Sequence, residues 1–403
     1  MQHRQGAGQE DDRSKSCTHD FLRRFESIPV FVLTVNSGST SVKLAAFQGA
    51  GADVQALRRE QHNGRGLDSH ALLGAFLREL DASQLVAVAH RVVHGGTRFA
   101  KPTLIDASVV TAIRELSELA PLHNPVALEW IAAAQAVCGR EVPQVAAFDT
   151  SFYTSLPRVA AEYALPSTRG SELGVRRYGF HGLAHQAMWQ RWCALHPKHP
   201  EGGRVVTLQL GGGSSATAIE RGHPLDTSMG FSPLEGLVMG TRCGDLDPAA
   251  VTYLASKQGI SPERIVEWLN RECGLKGVSG VSAEMRQLLA EPRAPASQFA
   301  IDLYCYRATK YLGAYLAVLR GCDGIVFGGG VGEHAPEVRA RILAPLAWAG
   351  IELEPQANDN ALGIEARISR SGSMAEVWVI PNDEDGLLAQ AALACGVPQA
   401  PAA

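Results

Sequence analysis

No apolar run in the 403-residue sequence approaches the ~20 residues that span a bilayer. The eight cysteines, at positions 17, 138, 193, 243, 273, 305, 322 and 395, form no CxxC pair and have no histidine at zinc-ligand spacing. They read as free, reduced thiols of a cytosolic protein. A basic excess is missing too: 37 Lys and Arg face 41 Asp and Glu, a net charge of −4. That argues against nucleic acid or an anionic membrane as the main partner. The lack of a GxxxxGK[ST] segment excludes a P-loop nucleotidase. His90 and His94 are four apart without the glutamate of HExxH, which argues against a zinc protease site.

Glycine is abundant, with 41 residues concentrated in a few clusters. The length suggests two or three domains with cores that need no cross-links. Residues 1–28 are polar and of mixed charge, with no apolar signal-peptide core. They predict a disordered extension or an upstream start, with ordered sequence beginning near Ile28.

Three segments share one design. Val30–Val35 reads as a strand, followed by the Gly/Ser turn 36–41 and a second strand Val42–Phe47. Val205–Leu210, Gly211–Ser215 and Ala216–Glu220 repeat this about 175 residues later. An internal duplication follows, two α/β units each opening with a hairpin whose turn exposes backbone amides. Gly324–Phe327 leads through the turn 328–332 to a helical pattern at Pro336–Leu343. Further helices are expected at Ser69–Leu80, Pro125–Val137, Ser261–Arg271 and Gln298–Leu319, and strands at Val86–Ala89, Gln144–Phe148 and Val377–Ile380. The alternation argues α/β.

Polyphosphate needs many aligned donors without side-chain bulk, and Gly/Ser turns supply them. Two segments also match G-x-G-x-x-A, at Gly211, Gly213, Ala216 and at Gly330, Gly332, Ala335, with Glu352 at the distance of a ribose-binding acid. A nicotinamide enzyme is therefore the competing reading, although the first match runs into a β-branched strand. Arg91, at a strand end beside glycines, suits an anion clamp; the alternative is a surface arginine. Asp149 follows Phe148 at a strand's C-terminal end, where α/β proteins face their ligands. It would hold a metal or act as a base, unless it only caps a turn. His181, in RRYGFHG, would steady a phosphoryl group or be structural. Arg242 sits alone among small residues in a long Gly-rich segment and would be a second clamp. Asn382-Asp383-Glu384-Asp385 suggests metal chemistry or an acid-stabilised helix N-terminus. This inventory suits phosphoryl transfer, which is mostly positioning and charge neutralisation.

NSGSTSVK, HRVVHGG, PLHNP, FDTSF, RRYGFHG, DTSMGFSPLEGLVMGTRCGDLDP, GLKGVSGVSAEMR and GIVFGGGVGEH occur in this order. With them the sequence resembles the acetate kinase family, including propionate and butyrate kinases, across about residues 30–395. The resemblance implies a duplicated actin-like (ribonuclease H-like, sugar-kinase/Hsp70) α/β fold with the active site between two domains. It places the first domain at 29–150 plus 386–403, and the second, for nucleotide binding and dimerisation, at 151–385. It implies a cytoplasmic homodimer that transfers the ATP γ-phosphoryl directly to a short carboxylate with Mg²⁺, or Mn²⁺ in its stead. Asn36, Ser39, Ser41 and Lys43 would line one phosphate loop and Gly211, Gly212 and Gly213 another. Gly329, Gly330, Val331 and Gly332 would lie against adenosine, with Glu284 and Arg286 nearby. Arg91 and Arg242 would bind the carboxylate and phosphoryl, and His181 would hydrogen-bond the latter. Asn36, Asp149 and Glu384 would place the metal. Val93, Leu122, Phe180 and Pro233 would surround the substrate methyl. The sequence departs from the family at Gly212, usually Asn, at Cys243, usually Ser, and at Tyr153, Glu284 and His334. A non-catalytic, nucleotide-binding regulator of the same fold is the alternative that the Gly212 change suggests.

Overall fold

The computed structural model describes residues 30–396 except 39–40, 52, 65, 167–169, 171 and 291–293. Ser39, Cys17 and the 1–28 extension lie outside the described residues. The β-branched run from Phe31 forms β1 (Phe31–Ser37), buried along its whole length. It is followed by β2 (Ser41–Ala50), β3 (Asp53–Asn63), β4 (Leu85–Val92), β5 (Thr103–Leu104) and β6 (Gln144–Phe148). These make one sheet in the order β3-β2-β1-β4-β6-β5. β1, β4 and β6 run parallel, and the hairpin strands and β5 run antiparallel.

β7 (Arg204–Leu210), β8 (Ser214–Glu220), β9 (His223–Thr227), β10 (Gly324–Gly328), β11 (Ala366–Arg367) and β12 (Glu376–Val379) make the second sheet. Its order, read from β9, is β9-β8-β7-β10-β12-β11. Adding six to each strand of the first sheet reproduces it, with the same parallel and antiparallel pairs. The duplication read from the two Gly/Ser hairpins is thus a repeat of whole sheets.

Seven helices matter for the site: α1 (Ser69–Leu77), α2 (Asn124–Cys138), α3 (Gly182–Leu195), α4 (Pro295–Val318), α5 (Gly329–His334), α6 (Pro336–Leu343) and α7 (Glu384–Ala394). Asp68 caps α1 by accepting from the Ala71 amide, and α1 ends at Leu77, three residues before the expected Leu80. α4 starts three residues earlier than expected, with Pro295 in its first turn, where a missing N–H is harmless. α4 and α6 cover one face of the second sheet through Ile301, Tyr304, Leu312, Val338 and Ile342, all buried against Leu208, Ile325 and Phe327. α7 returns to the first sheet, where Leu388, Ala389 and Ala392 pack on Val32, Ala87 and Ala89. α3 joins the same cluster through Leu183.

Two boundaries shift the site's geometry. β4 extends to Val92, so Arg91 lies inside a strand, paired with Ala147, and not after its end. The glycine segment after β10 is not an open turn. Gly329 takes a φ of +75°, and the chain then coils directly into α5.

Candidate active site

Every parallel strand delivers a polar or glycine-rich segment at its C-terminal end. β1 carries Asn36 and β4 carries Arg91 one residue before their ends, β6 runs into Asp149, β7 into Gly211, β10 into Gly329, and β12 into the turn before Glu384. The two sheets turn these ends toward each other.

The most buried part is an ionic cluster. Arg91 donates through Nε (3.0 Å) and Nη2 (2.7 Å) to the Asp149 carboxylate, which is 1% exposed. Its Nη1 donates to Asn36 Oδ1 (3.2 Å). Asn36 Nδ2 donates to Glu384 Oε2 (2.9 Å) and to Asp385 Oδ1 (3.0 Å). Burial pushes the Asp149 carboxyl up, opposed by the charge and hydrogen bonds of Arg91. Burial also pushes Asp385 up, against the Asn36 hydrogen bond and Lys43. For Glu384, burial is outweighed by Arg91, Lys43 and the Asn36 hydrogen bond, which hold it down at about 2. Lys43 itself is exposed on β2. The helix N-terminus reading of the 382–385 segment is borne out. Asp383 caps α7 by accepting from the Gly386 amide (3.2 Å), and Glu384 and Asp385 face Asn36.

His181 sits at the start of α3 in the left-handed region (φ 58°), a conformation uncommon outside glycine. The next residue must be small, because a Cβ on Gly182 would collide with the Asp149 carbonyl oxygen. That contact brings α3 against the turn after β6 and sets His181 near the Arg91 cluster. Burial and the charges of Arg91 and Arg242 lower His181 to about 3, so its ring is neutral at pH 7.

Arg242 has no carboxylate partner among the described residues. Nη1 donates to the Pro233 carbonyl (3.1 Å) and touches Met239 Sδ (3.6 Å). Burial and repulsion from Arg91 lower it to about 10, which leaves it charged at neutral pH. A Cβ on Gly213 would lie 3.2 Å from the His181 ring and 3.4 Å from Arg242 Nη1, so the three groups share one wall. Gly211 approaches the Gly330 amide, placing the two glycine segments side by side. The Gly212 carbonyl accepts from the Gly240 amide (3.1 Å), and Gly240 abuts the Ala283 carbonyl next to Glu284. Glu284 and Arg286 are exposed at that rim. Val331 is partly buried and packs against the second sheet's core.

Of the four residues expected around a methyl group, Val93 and Phe180 share a buried apolar cluster with Tyr178, Met229 and Met239. Met239 links that cluster to Arg242. Leu122 is 37% exposed and lies instead in a cleft of about 390 Å³ with Ser41, His123, Thr241 and Arg242. Pro233 contributes its carbonyl to Arg242. Sequence reasoning missed His123. Burial and the charges of Arg242, Arg91 and His181 lower it to about 3, so it faces the same centre. A single histidine in PLHNP gives no spacing signal for that. Asp385 was visible only as part of an acidic run.

The nicotinamide reading fails on the fold. Gly211–Gly213 joins two antiparallel strands, the second glycine match lies in a one-turn helix, and Glu352 is exposed on a distant loop. Seven cysteines are described, all as free thiols. Among the described residues no three His, Cys, Asp or Glu side chains converge as a ready-made metal chelate.

Residues 31–390 match the model of the Acetokinase family. An acetate kinase from Solibacter usitatus is 47% identical over 78% of this chain and 76% of its own length. One from Halothermothrix orenii is 39% identical over 89% and 98%. The crystal structure of Porphyromonas gingivalis acetate kinase superimposes with a TM-score of 0.80 at 32% identity, covering 91% of this chain and 99% of that one. A propionate kinase from Francisella tularensis gives 0.80 at 34%, covering 90% and 98%. The family implies ATP and a divalent metal. With the duplicated sheets and the motifs in order, the chain belongs to the acetokinase family of kinases.

Proposed function

We propose that the chain catalyses reversible transfer of the ATP γ-phosphoryl to acetate, giving acetyl phosphate and ADP. The observation that carries this is Arg242: a charged guanidinium with no acidic partner among the described residues, beside neutral His181 and the Gly213 backbone. It is poised for an anion from outside. The Val93, Phe180 and Met239 cluster adjoining it suits a short alkyl group.

The acceptor needs no general base, because a carboxylate is ionised at neutral pH. Arg242 would neutralise charge developing on the transferring group, and His181 would donate a hydrogen bond to its equatorial oxygens. Arg91, held by Asp149 and Asn36, would orient the acceptor. Gly211–Gly213 and Gly329–Gly332 would offer backbone amides to the nucleotide, with Ser39, Ser41 and Lys43 across the cleft and Glu284 and Arg286 at its rim.

The carboxylate set fits a divalent cation. Glu384 and Asp385 accept from Asn36, Asp149 lies across Arg91 from them, and all the donors are hard oxygens. Without a ready-made chelate, Asn36, Asp149 and Glu384 would hold Mg²⁺, or Mn²⁺, partly through water. Bound there, it would offset charge on the phosphate oxygens.

Propionate is the second reading, supported by the Francisella tularensis propionate kinase, because one methylene changes affinity by only ~1–3 kcal/mol. A homodimer is expected through α4, which exposes Phe299 and Tyr306 seven residues apart on one face. No helix among the described residues is long and apolar enough to cross a membrane, in keeping with the proposed cytoplasmic location. Steady-state acyl-phosphate formation, trapped with hydroxylamine, tests the assignment with acetate, propionate and butyrate in parallel. Turnover with acetate at the highest kcat/KM supports it. Folded protein that binds ATP but turns over no acid contradicts it and favours the regulatory reading.

A further inference from the structure

Behind His181 runs a chain of buried side chains. His181 Nδ1 lies 2.9 Å from Ser215 Oγ, Ser215 Oγ lies 2.7 Å from His185 Nε2, and His185 Nδ1 lies 2.7 Å from Thr207 Oγ1. Ser215, His185 and Thr207 are each 0% exposed. They come from β8, α3 and β7, so three elements must pack before the chain exists. Among the described residues each ring nitrogen of His185 meets one hydroxyl and no carboxylate, and a neutral imidazole has one donor and one acceptor nitrogen.

The chain can run in only two directions, and Thr207 decides between them. Its hydroxyl makes no other hydrogen bond among the described residues. If it accepted from His185, its own proton would be buried without a partner, which is costly. As donor it satisfies His185 Nδ1. His185 then carries its proton on Nε2 and donates to Ser215, whose hydroxyl has one proton left to give to His181 Nδ1. His181 must then hold its proton on Nε2, the nitrogen facing Gly213 and Arg242.

We propose that Thr207, Ser215 and His185 are positioning residues that fix His181 as the Nε2–H tautomer, so that it presents a donor and not a lone pair to the phosphoryl group. The function of this relay rests on the role assigned above to His181. The direction of the relay does not.

The test is ¹⁵N–¹H correlation of the histidine rings in the full-length protein, combined with kinetics of Thr207→Val, Thr207→Ser and His181→Ala. Expected are a protonated Nε2 and a bare Nδ1 on both His181 and His185. In Thr207→Val, His181 should populate the other tautomer. Its kcat should fall roughly a hundredfold, the cost of losing one transition-state donor, with KM for both substrates within about twofold. Thr207→Ser, which keeps the donor, should restore both. A proton on His181 Nδ1 in the wild type overturns the proposal, even if Thr207→Val fails to fold. An unchanged spectrum and kcat in Thr207→Val overturns it too. The expected spectrum with full activity in His181→Ala would keep the relay but overturn the phosphoryl-donor role.

Discussion

At the residue scale, the two arginines differ in a way their sequence contexts hide. Arg91 is locked to a buried carboxylate, whereas Arg242 is held only by a carbonyl and a sulfur. Arg242→Ala should therefore lower kcat by about 10²–10³ while moving the melting temperature little, since no buried charge is orphaned. Arg91→Ala should lower both, because Asp149 would remain buried and unpaired at ~3–5 kcal/mol. Thermal melts alongside the acyl-phosphate assay separate the two, and equal stability losses would contradict this account. Gly212 offers a gain. A Cβ there meets nothing within 4 Å, and its φ is not positive. Gly212→Asn should fold normally and lower KM for ATP about tenfold, because a side-chain hydrogen bond to a charged group contributes ~1.5–3 kcal/mol, part of it offset by ordering. Nucleotide titration of the variant checks this.

At the element scale, α7 does two jobs. Its first turn carries Glu384 and Asp385 to Asn36, and its apolar face covers β1 and β4. Leu388 is fully buried there, so Leu388→Ala should destabilise by ~2–5 kcal/mol, read as a lower urea midpoint. An unchanged midpoint would mean that α7 does not cover the sheet. Some elements, such as Gln144–Phe148 and Pro336–Leu343, were legible in the sequence to the residue. Ends set by tertiary contacts were not. β4 runs on through Arg91 because β6 lies beside it, and no local signal in HRVV reports that neighbour.

At the scale of the whole molecule, burial of neutral histidines makes stability pH-dependent. His90 and His94 are lowered to about 4 by burial, and His181 to about 3. Unfolded imidazoles bind protons near pH 6.5, which the folded ones refuse, so the unfolded state gains as pH falls. Stability should be full above pH 6.5 and drop between 6.5 and 4.5 by up to ~1.4 kcal/mol per pH unit for each such histidine. Below 4.5, protonation of Glu384, lowered to about 2, adds to the loss, while Asp149 and Asp385, pushed up by burial, oppose it. A melting temperature that stays flat from pH 7 to 5 would contradict this.

The sequence by itself determined the α/β class, the duplicated hairpins and the identity of the glycine segments, Arg91, Asp149, His181 and Arg242 as candidates. Residue type, periodicity and motif order are local and survive in one dimension. Only the tertiary structure decided which arginine is paired, that His123 and Asp385 face the same centre, and that Leu122 lines a cleft with His123 and Arg242. It also decided that Thr207, eight residues before Ser215, sets the proton on His181. These are matters of burial and of contact between residues far apart in the chain. They arise when α3 and α7 close on the ends of the two sheets.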